Sequence, residues 1–364
     1  MSDPYGPTTP SKVVHLFPGQ GDFSLSPLVR LLPDAGTLAR SVAEVFEEAD
    51  SVAAEFDVVP IGPRLLGARP PSAGGLAAEA PGTVQLALFG VSLAVHRALE
   101  ADGCRADRLL AVSFGEIPAL TAAGCCSVAD GARLACRLGQ LLTGHGGGMT
   151  LLAAGLSATR RLLDVGGAGA ASVVVACVNH EAETVVSGPL DGLAVVERLA
   201  ARAGVEARRL RLPFMSHHPE LAREAGAFAH YARRLRLTAP SRPVHSVVAG
   251  RAYRPQDDLP RALSACLVRS FSLPAVLGAA LSGAGPVVEA GTGGSLANSV
   301  RVIDPGRRAS APVAEGRWPG ATADRTPPPA CAPRAGGPPK RGPAAGPGPG
   351  RKRFPATTVT GRRA

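Results

Sequence analysis

The chain has 364 residues, 45% of them hydrophobic and 4% aromatic, enough to bury one substantial core and a smaller unit. No apolar run approaches the roughly 20 residues of a membrane span and no signal peptide opens the chain, so neither a membrane protein nor a secreted one is expected. The net charge of +10 lies wholly in residues 305–364, which carry 12 Lys or Arg against 2 Asp or Glu and leave 27 of each sign in residues 1–304; such a tail could serve as a polycationic arm for nucleic acid or an acidic partner, but it lacks repeated aromatic interleaving, and no nucleic acid is expected.

The first predicted element is a buried strand, Val13–Phe17, which runs into Pro18-Gly19-Gln20-Gly21. This loop lacks the Lys-Ser/Thr of a P-loop and the three-glycine spacing of a dinucleotide fold. It reads as a rigid turn whose backbone, at the N–H of Gln20, supplies a donor to an oxyanion. Helices are predicted over about residues 37–55 and 82–99. The apolar run Leu109–Val112 then leads into Ser113-Phe114-Gly115-Glu116 and a helix-like stretch from Ile117 to Ala123. A serine at such a strand-to-helix elbow presents its hydroxyl at the top of a parallel sheet, with the Phe114 N–H at the helix start to hold an oxyanion. The small residues Ala111 and Gly115 permit the turn, and Ser113 is the candidate nucleophile.

A helix over about 128–142 precedes the glycine run Gly146-Gly147-Gly148, where the rhythm changes. Strand 150–156, helix 158–164, strands 173–178 and 184–187, helix 190–203 and strand 206–212 follow in βαββαβ order, which predicts a ferredoxin-like insert. Asn179, at a strand end, reads as a pocket residue or as part of an ordinary polar turn.

A serine nucleophile needs a base. Of the eight histidines, the pair in Leu212-Pro-Phe-Met-Ser-His-His-Pro-Glu-Leu221 sits in a loop just after a strand, and His217 is the candidate. No Cys, Asp or Glu stands at zinc spacing beside it, so no metal is expected. His15, His96, His145, His180, His230 and His245 read as packing or surface. Seven cysteines without paired CxxC spacing imply reduced thiols and a cytoplasmic setting. From Pro305 to Ala364 the composition of Pro, Gly and Arg predicts a disordered tail.

In order, these motifs resemble those of the malonyl-CoA:acyl carrier protein transacylase family, which includes the acyltransferase domains of polyketide synthases. The family's Phe-Pro-Gly-Gln-Gly is intact at Phe17 to Gly21, and its Gly-His-Ser-x-Gly-Glu is recognisable at 111 to 116. Its Thr-Gln-Pro-Ala-Leu helix start is echoed at Val84 to Leu88, which makes Gln85 a candidate substrate-binding residue. Ser216-His217 corresponds to its base motif, and Val287-Val288-Glu289-Ala290-Gly291 to a late strand and turn. The resemblance covers residues 12 to 304.

It implies an α/β fold in which a parallel-sheet, hydrolase-like core of residues 12–146 and 207–304 carries a ferredoxin-like subdomain at 147–206, ahead of the 305–364 tail. It also implies a Ser-His dyad whose histidine is oriented by a backbone carbonyl, matched here to Ser270. The substrates would be acyl-CoA and acyl carrier protein thioesters, with no metal or redox cofactor. Carrier proteins are typically acidic, so Arg208, Arg209 and Arg211 are docking candidates, although their alternation with Leu210 and Leu212 equally suits a half-exposed strand.

Departures from the family pattern bear on the acyl group. Members that take malonyl or methylmalonyl groups carry an arginine before a Gly-Gln or Ser-Gln step, and this chain has Leu138 there, in Cys136-Arg137-Leu138-Gly139-Gln140. Leucine would make an apolar wall and favour an acetyl- or propionyl-like group, since burying a carboxylate without a partner costs several kcal/mol. The alternative is a register in which Arg137 takes the arginine's place and malonyl is accepted. Val112 replaces the histidine before the nucleophile and would reshape the pocket. Both transfer to a carrier thiol and hydrolytic editing of acetyl carrier protein remain open, as does a carrier-binding protein that has lost its chemistry.

Overall fold

The computed structural model describes residues 12–319, which two sheets organise. The first contains β1 (Val13–Phe17), β2 (Ala106–Ala111), β7 (Val244–Ser246), β8 (Arg251–Ala252), β10 (Val287–Glu289) and β11 (Ala309–Ser310). Their order is β11-β10-β1-β2-β7-β8, parallel throughout except at the antiparallel edge pair β7–β8. Strands covered on both faces must be apolar on both. Val14, Leu16 and Leu110 accordingly join one core cluster, while Phe17, Leu109 and Ala111, pointing the other way, join another.

Helices Gly36–Ala49, Thr83–Ala101 and Val128–His145 form the larger cluster, against helices Leu273–Ala280 and Ser295–Ile303 on the opposite face. Ser127 opens the helix Val128–His145 by accepting the Asp130 N–H. The helix Thr83–Ala101 is long and apolar enough to cross a membrane, yet 78% of its apolar window is buried within this fold.

The second sheet contains β3 (Gly148–Leu152), β4 (Val174–His180), β5 (Glu183–Gly188), β6 (Ala207–Arg209) and β9 (Phe271–Ser272), in the order β6-β3-β5-β4-β9. With helices Leu156–Gly166 and Leu190–Arg202, strands β3 to β6 give the βαββαβ insert, its strands ordered fourth, first, third, second. β6 carries the insert's sheet to Arg209, beyond the expected boundary at 206. β9 comes from the core and pairs parallel with β4 through Cys177–Phe271 and Val178–Ser272.

The expectation of disorder from 305 onwards fails over its first stretch. β11 pairs with β10, the short helix Pro312–Glu315 follows, and Trp318 is buried with its Nε1–H donating to Asp102 at 2.6 Å. Composition missed this because one indole can bury enough area to order a short segment rich in small and charged residues. Residues 320–364, the remainder of the expected tail, lie outside the described residues.

Candidate active site

β2 ends at Ala111, Val112 is extended, and Ser113 turns back with φ of +55° into a short 3-10 turn and the helix Glu116–Ala122. The tightness of this elbow depends on Gly115. A Cβ there would lie 2.2 Å from the Phe17 carbonyl oxygen. The Pro18–Gly21 loop therefore lies against the elbow, and a methyl at Gly19 would meet Ser113 Cβ at 3.7 Å. The Gln20 side chain is tied to the helix Thr83–Ala101, its Oε1 accepting Gln85 Nε2–H at 2.8 Å. The Phe114 side chain is buried in the core, which leaves its backbone at the turn.

His217 also has φ of +55°, and it is 3% exposed. Its Nε2 stands 2.7 Å from Ser113 Oγ and its Nδ1 2.7 Å from the Arg269 carbonyl oxygen. A carbonyl can only accept, so Nδ1 carries the proton and Nε2 is free to accept from the serine hydroxyl. Burial pushes the His217 pKa down to about 4, against the opposing hydrogen bond to Arg269, so the ring is neutral near pH 7. The carbonyl partner is Arg269, not Ser270 as expected. Arg269 is the residue after the helix Leu259–Val268, and β9 begins two residues later, so the carbonyl is fixed between two elements. The neighbouring His218 is spent on structure: Nε2–H donates to the Ser172 carbonyl and Nδ1 accepts the Glu220 N–H.

Ser113 and His217 open on a cavity of about 140 Å³ between the two sheets. Val112, Met149, Leu151, Cys177, Val185 and Phe271 give it an apolar lining, and the Phe271 ring meets the His217 ring edge-to-face at 5.0 Å. Asn179 lines it too, donating from Nδ2 to Glu183 Oε1 at 2.7 Å. One cross-strand row runs along this wall, Arg208–Leu151–Val185–Cys177–Phe271, from the rim to the histidine's neighbour. Arg208 is exposed at that rim and borders a second, larger hollow, which shares Gln20, Gly21, Asp22 and Leu212 with the first.

A serine hydroxyl bonded to a neutral, carbonyl-anchored histidine in an apolar cavity has the geometry that general-base activation of a nucleophile requires. The model of the acyl transferase domain family matches residues 17–298. The chain belongs to that family. Its relatives include the spectinabilin polyketide synthase system protein NorA' of Streptomyces orinoci, 31% identical over 58% of this chain and 6% of that protein. Polyketide synthase GfsA of Streptomyces halstedii is 32% identical over 57% of this chain and 3% of that one, so the chain spans a small fraction of either synthase. Among solved structures, the malonyl-CoA:acyl carrier protein transacylase of Xanthomonas oryzae superposes with a TM-score of 0.71 at 27% identity, covering 84% of this chain and 96% of that one. An acyltransferase domain from an iterative enediyne polyketide synthase gives 0.59 at 28% identity, over 84% and 66%.

Within this acyl transferase fold, the expected substrate residues separate. Val112 and Asn179 line the cavity, whereas Gln85, bonded to Gln20, lines the second hollow instead. Leu138, expected as an apolar wall, does not line this cavity: it is 5% exposed in the main core cluster. The helix Val128–His145 is buried along most of its length, so spacing does not reveal which of its apolar residues faces the cavity. Arg137 does not reach the cavity either; it lies 5.9 Å over the Tyr231 ring and donates to Gln140. Among the described residues no group of three His, Cys, Asp or Glu is arranged to hold a metal ion. Sequence reasoning missed Arg269, Phe271 and Glu183. For Glu183 a signal existed, because period-2 alternation puts it on the same face of β5 as Val185.

Proposed function

We propose that the chain is a Ser-His acyltransferase of polyketide assembly, moving a short, carboxylate-free acyl group between CoA or carrier-protein thioesters through acyl-Ser113. The observation that carries this reading is the hydrogen-bonded series Ser113–His217–Arg269 carbonyl, opening on a small apolar cavity. Ser113 Oγ attacks the thioester carbonyl as His217 Nε2 takes its proton. The backbone N–H groups of Gln20 and Phe114 hold the oxyanion, and the departing thiolate takes the proton back from His217. An incoming carrier-protein thiol then repeats the sequence in reverse and releases Ser113.

The acyl preference is supported by the cavity itself, whose volume is close to that of an engineered apolar cavity of about 150 Å³ that holds benzene. Its one lining cation, Arg208, stands on β6, four strands from β9 and so about 19 Å away at about 4.8 Å per strand. That separation suits the phosphate at the far end of a pantetheine arm lying along the sheet better than a carboxylate next to the acyl carbon. A cytoplasmic setting fits the six free cysteines among the described residues.

Mass spectrometry of the wild type and Ser113→Ala after mixing with acetyl-, propionyl- and malonyl-CoA tests the reading. Acetyl and propionyl adducts on Ser113, absent from Ser113→Ala, are expected. Equal adducts in the variant, or malonyl as the preferred group, would overturn it. Following free acid against acylated carrier protein in the same samples separates transfer from editing hydrolysis.

A further inference from the structure

The acyl cavity carries a carboxylate without a matching cation. Along the insert's sheet, side chains that line the cavity alternate with those that face the insert's own core. On β5, Val186 belongs to that core, while Val185 and Glu183 line the cavity. Glu183 is half-buried and takes one side-chain hydrogen bond, from Asn179, a neighbour on the cavity wall. The other acid in the lining, Asp22, is engaged by the backbone N–H groups of Gly294 and Ser295. Arg208 is exposed on the edge strand, four strands from β9, whereas β5 stands two from it. Cys177, on the same wall, registers this environment: burial, with the Glu183 charge adding to it, pushes its thiol up to about 12.

We propose that Glu183, oriented by Asn179, is a specificity-determining residue that rejects acyl groups ending in a free carboxylate. This rests on the reading of the cavity as the acyl site. A malonyl group entering it would give up hydration and meet a fixed like charge in a half-buried site that ions of the solvent still reach in part. An acetyl or propionyl group brings no charge and avoids both penalties. The apolar wall disfavours an anion through desolvation, and Glu183 adds repulsion, which sets a charge preference that an apolar wall alone lacks.

The test is a competition. Malonyl- and propionyl-CoA are offered together, and the two adducts on Ser113 are measured by mass spectrometry for the wild type and for Glu183→Gln, at low and high salt. Glutamine keeps the size of the side chain and an oxygen for Asn179. The malonyl-to-propionyl ratio should rise at least fivefold in Glu183→Gln, with an expected size on the order of tenfold to a hundredfold for like charges in a partly buried site. In the wild type the ratio should rise with salt, and in the variant it should not. A change below fivefold, with propionyl-Ser113 forming in both proteins, would overturn the inference. If Glu183→Gln fails to fold, the wild-type salt dependence decides: a flat ratio overturns it and a rising one supports it. Absence of any adduct on wild-type Ser113 would instead strike the acyltransferase reading on which the inference rests.

Discussion

Two non-glycine residues that touch each other, Ser113 and His217, both hold left-handed backbone, a conformation that costs on the order of 1–3 kcal/mol per residue. The fold bears that cost where it points a hydroxyl and an imidazole at each other. Burial has a further effect at this scale. A base must be unprotonated to accept a proton, and His217 is held down to about 4. The rate of Ser113 acylation should therefore stay flat from pH 8 to about 5 and fall only as the pH nears 4. A pH–rate profile on protein shown to remain folded checks this, and an acid limb near 6.5 would contradict it. The elbow and the histidine pair are legible in the sequence because strand, small residues and serine are contiguous. The carbonyl partner is less so. A main-chain acceptor leaves no trace in side-chain identity, and a one-residue offset separates Ser270 from Arg269.

Helices Thr83–Ala101 and Val128–His145 touch through glycine, and that contact reaches the active site. A Cβ on Gly139 would lie 2.4 Å from Gln85 Oε1 and 2.6 Å from Gly82 Cα, and Gln85 is the residue that holds Gln20. Gly139→Ala should displace Gln85, loosen the Pro18–Gly21 loop and slow Ser113 acylation on the order of 10- to 100-fold, in keeping with the cost of a small misplacement. Steady-state acylation rates beside a circular dichroism spectrum would show whether the effect is local; an unchanged rate would separate the loop from the helix pair. Element positions were readable where one period dominated, as in β1, which matches its expected bounds. They were less readable where the period changes within a run, as where a 3-10 stretch over Asp50–Phe56 continues a helix that ends at Ala49. The insert was legible from its βαββαβ order, but nothing in that order foretells a fifth strand from residues 271–272.

Across the whole molecule, buried titratable groups oppose one another. Burial pushes His15 down to about 4, His96 to about 2 and His217 to about 4, so below 6.5 the unfolded chain binds protons that the native state refuses. Stability from these groups falls as the pH falls. Burial also pushes Glu116 up to about 7 and Glu289 up to about 8, so above 4.5 the unfolded chain releases protons that the native state keeps. Stability from these two falls as the pH rises. Between 4.5 and 6.5 the three histidines, with His245 lowered in the same direction, outweigh the two acids; above 6.5 the acids dominate, joined towards pH 8.5 by buried thiols such as Cys136 and Cys177, whose raised pKa values act in the same sense. Tm should peak near pH 6.5 and drop by roughly 5 °C or more by pH 8.5, as scanning calorimetry can show. A Tm still climbing at pH 8.5 would refute the balance.

The two-residue strand β9 stitches the insert's sheet to the core immediately after Arg269, and Phe271 within it touches both β4 and the His217 ring. The segment that lines part of the cavity thus lies two residues beyond the carbonyl that sets the histidine's tautomer. On the proposed reading, a cargo too large for the cavity would press on the same wall that anchors the base, so size would be sensed at the histidine as well as at the lining.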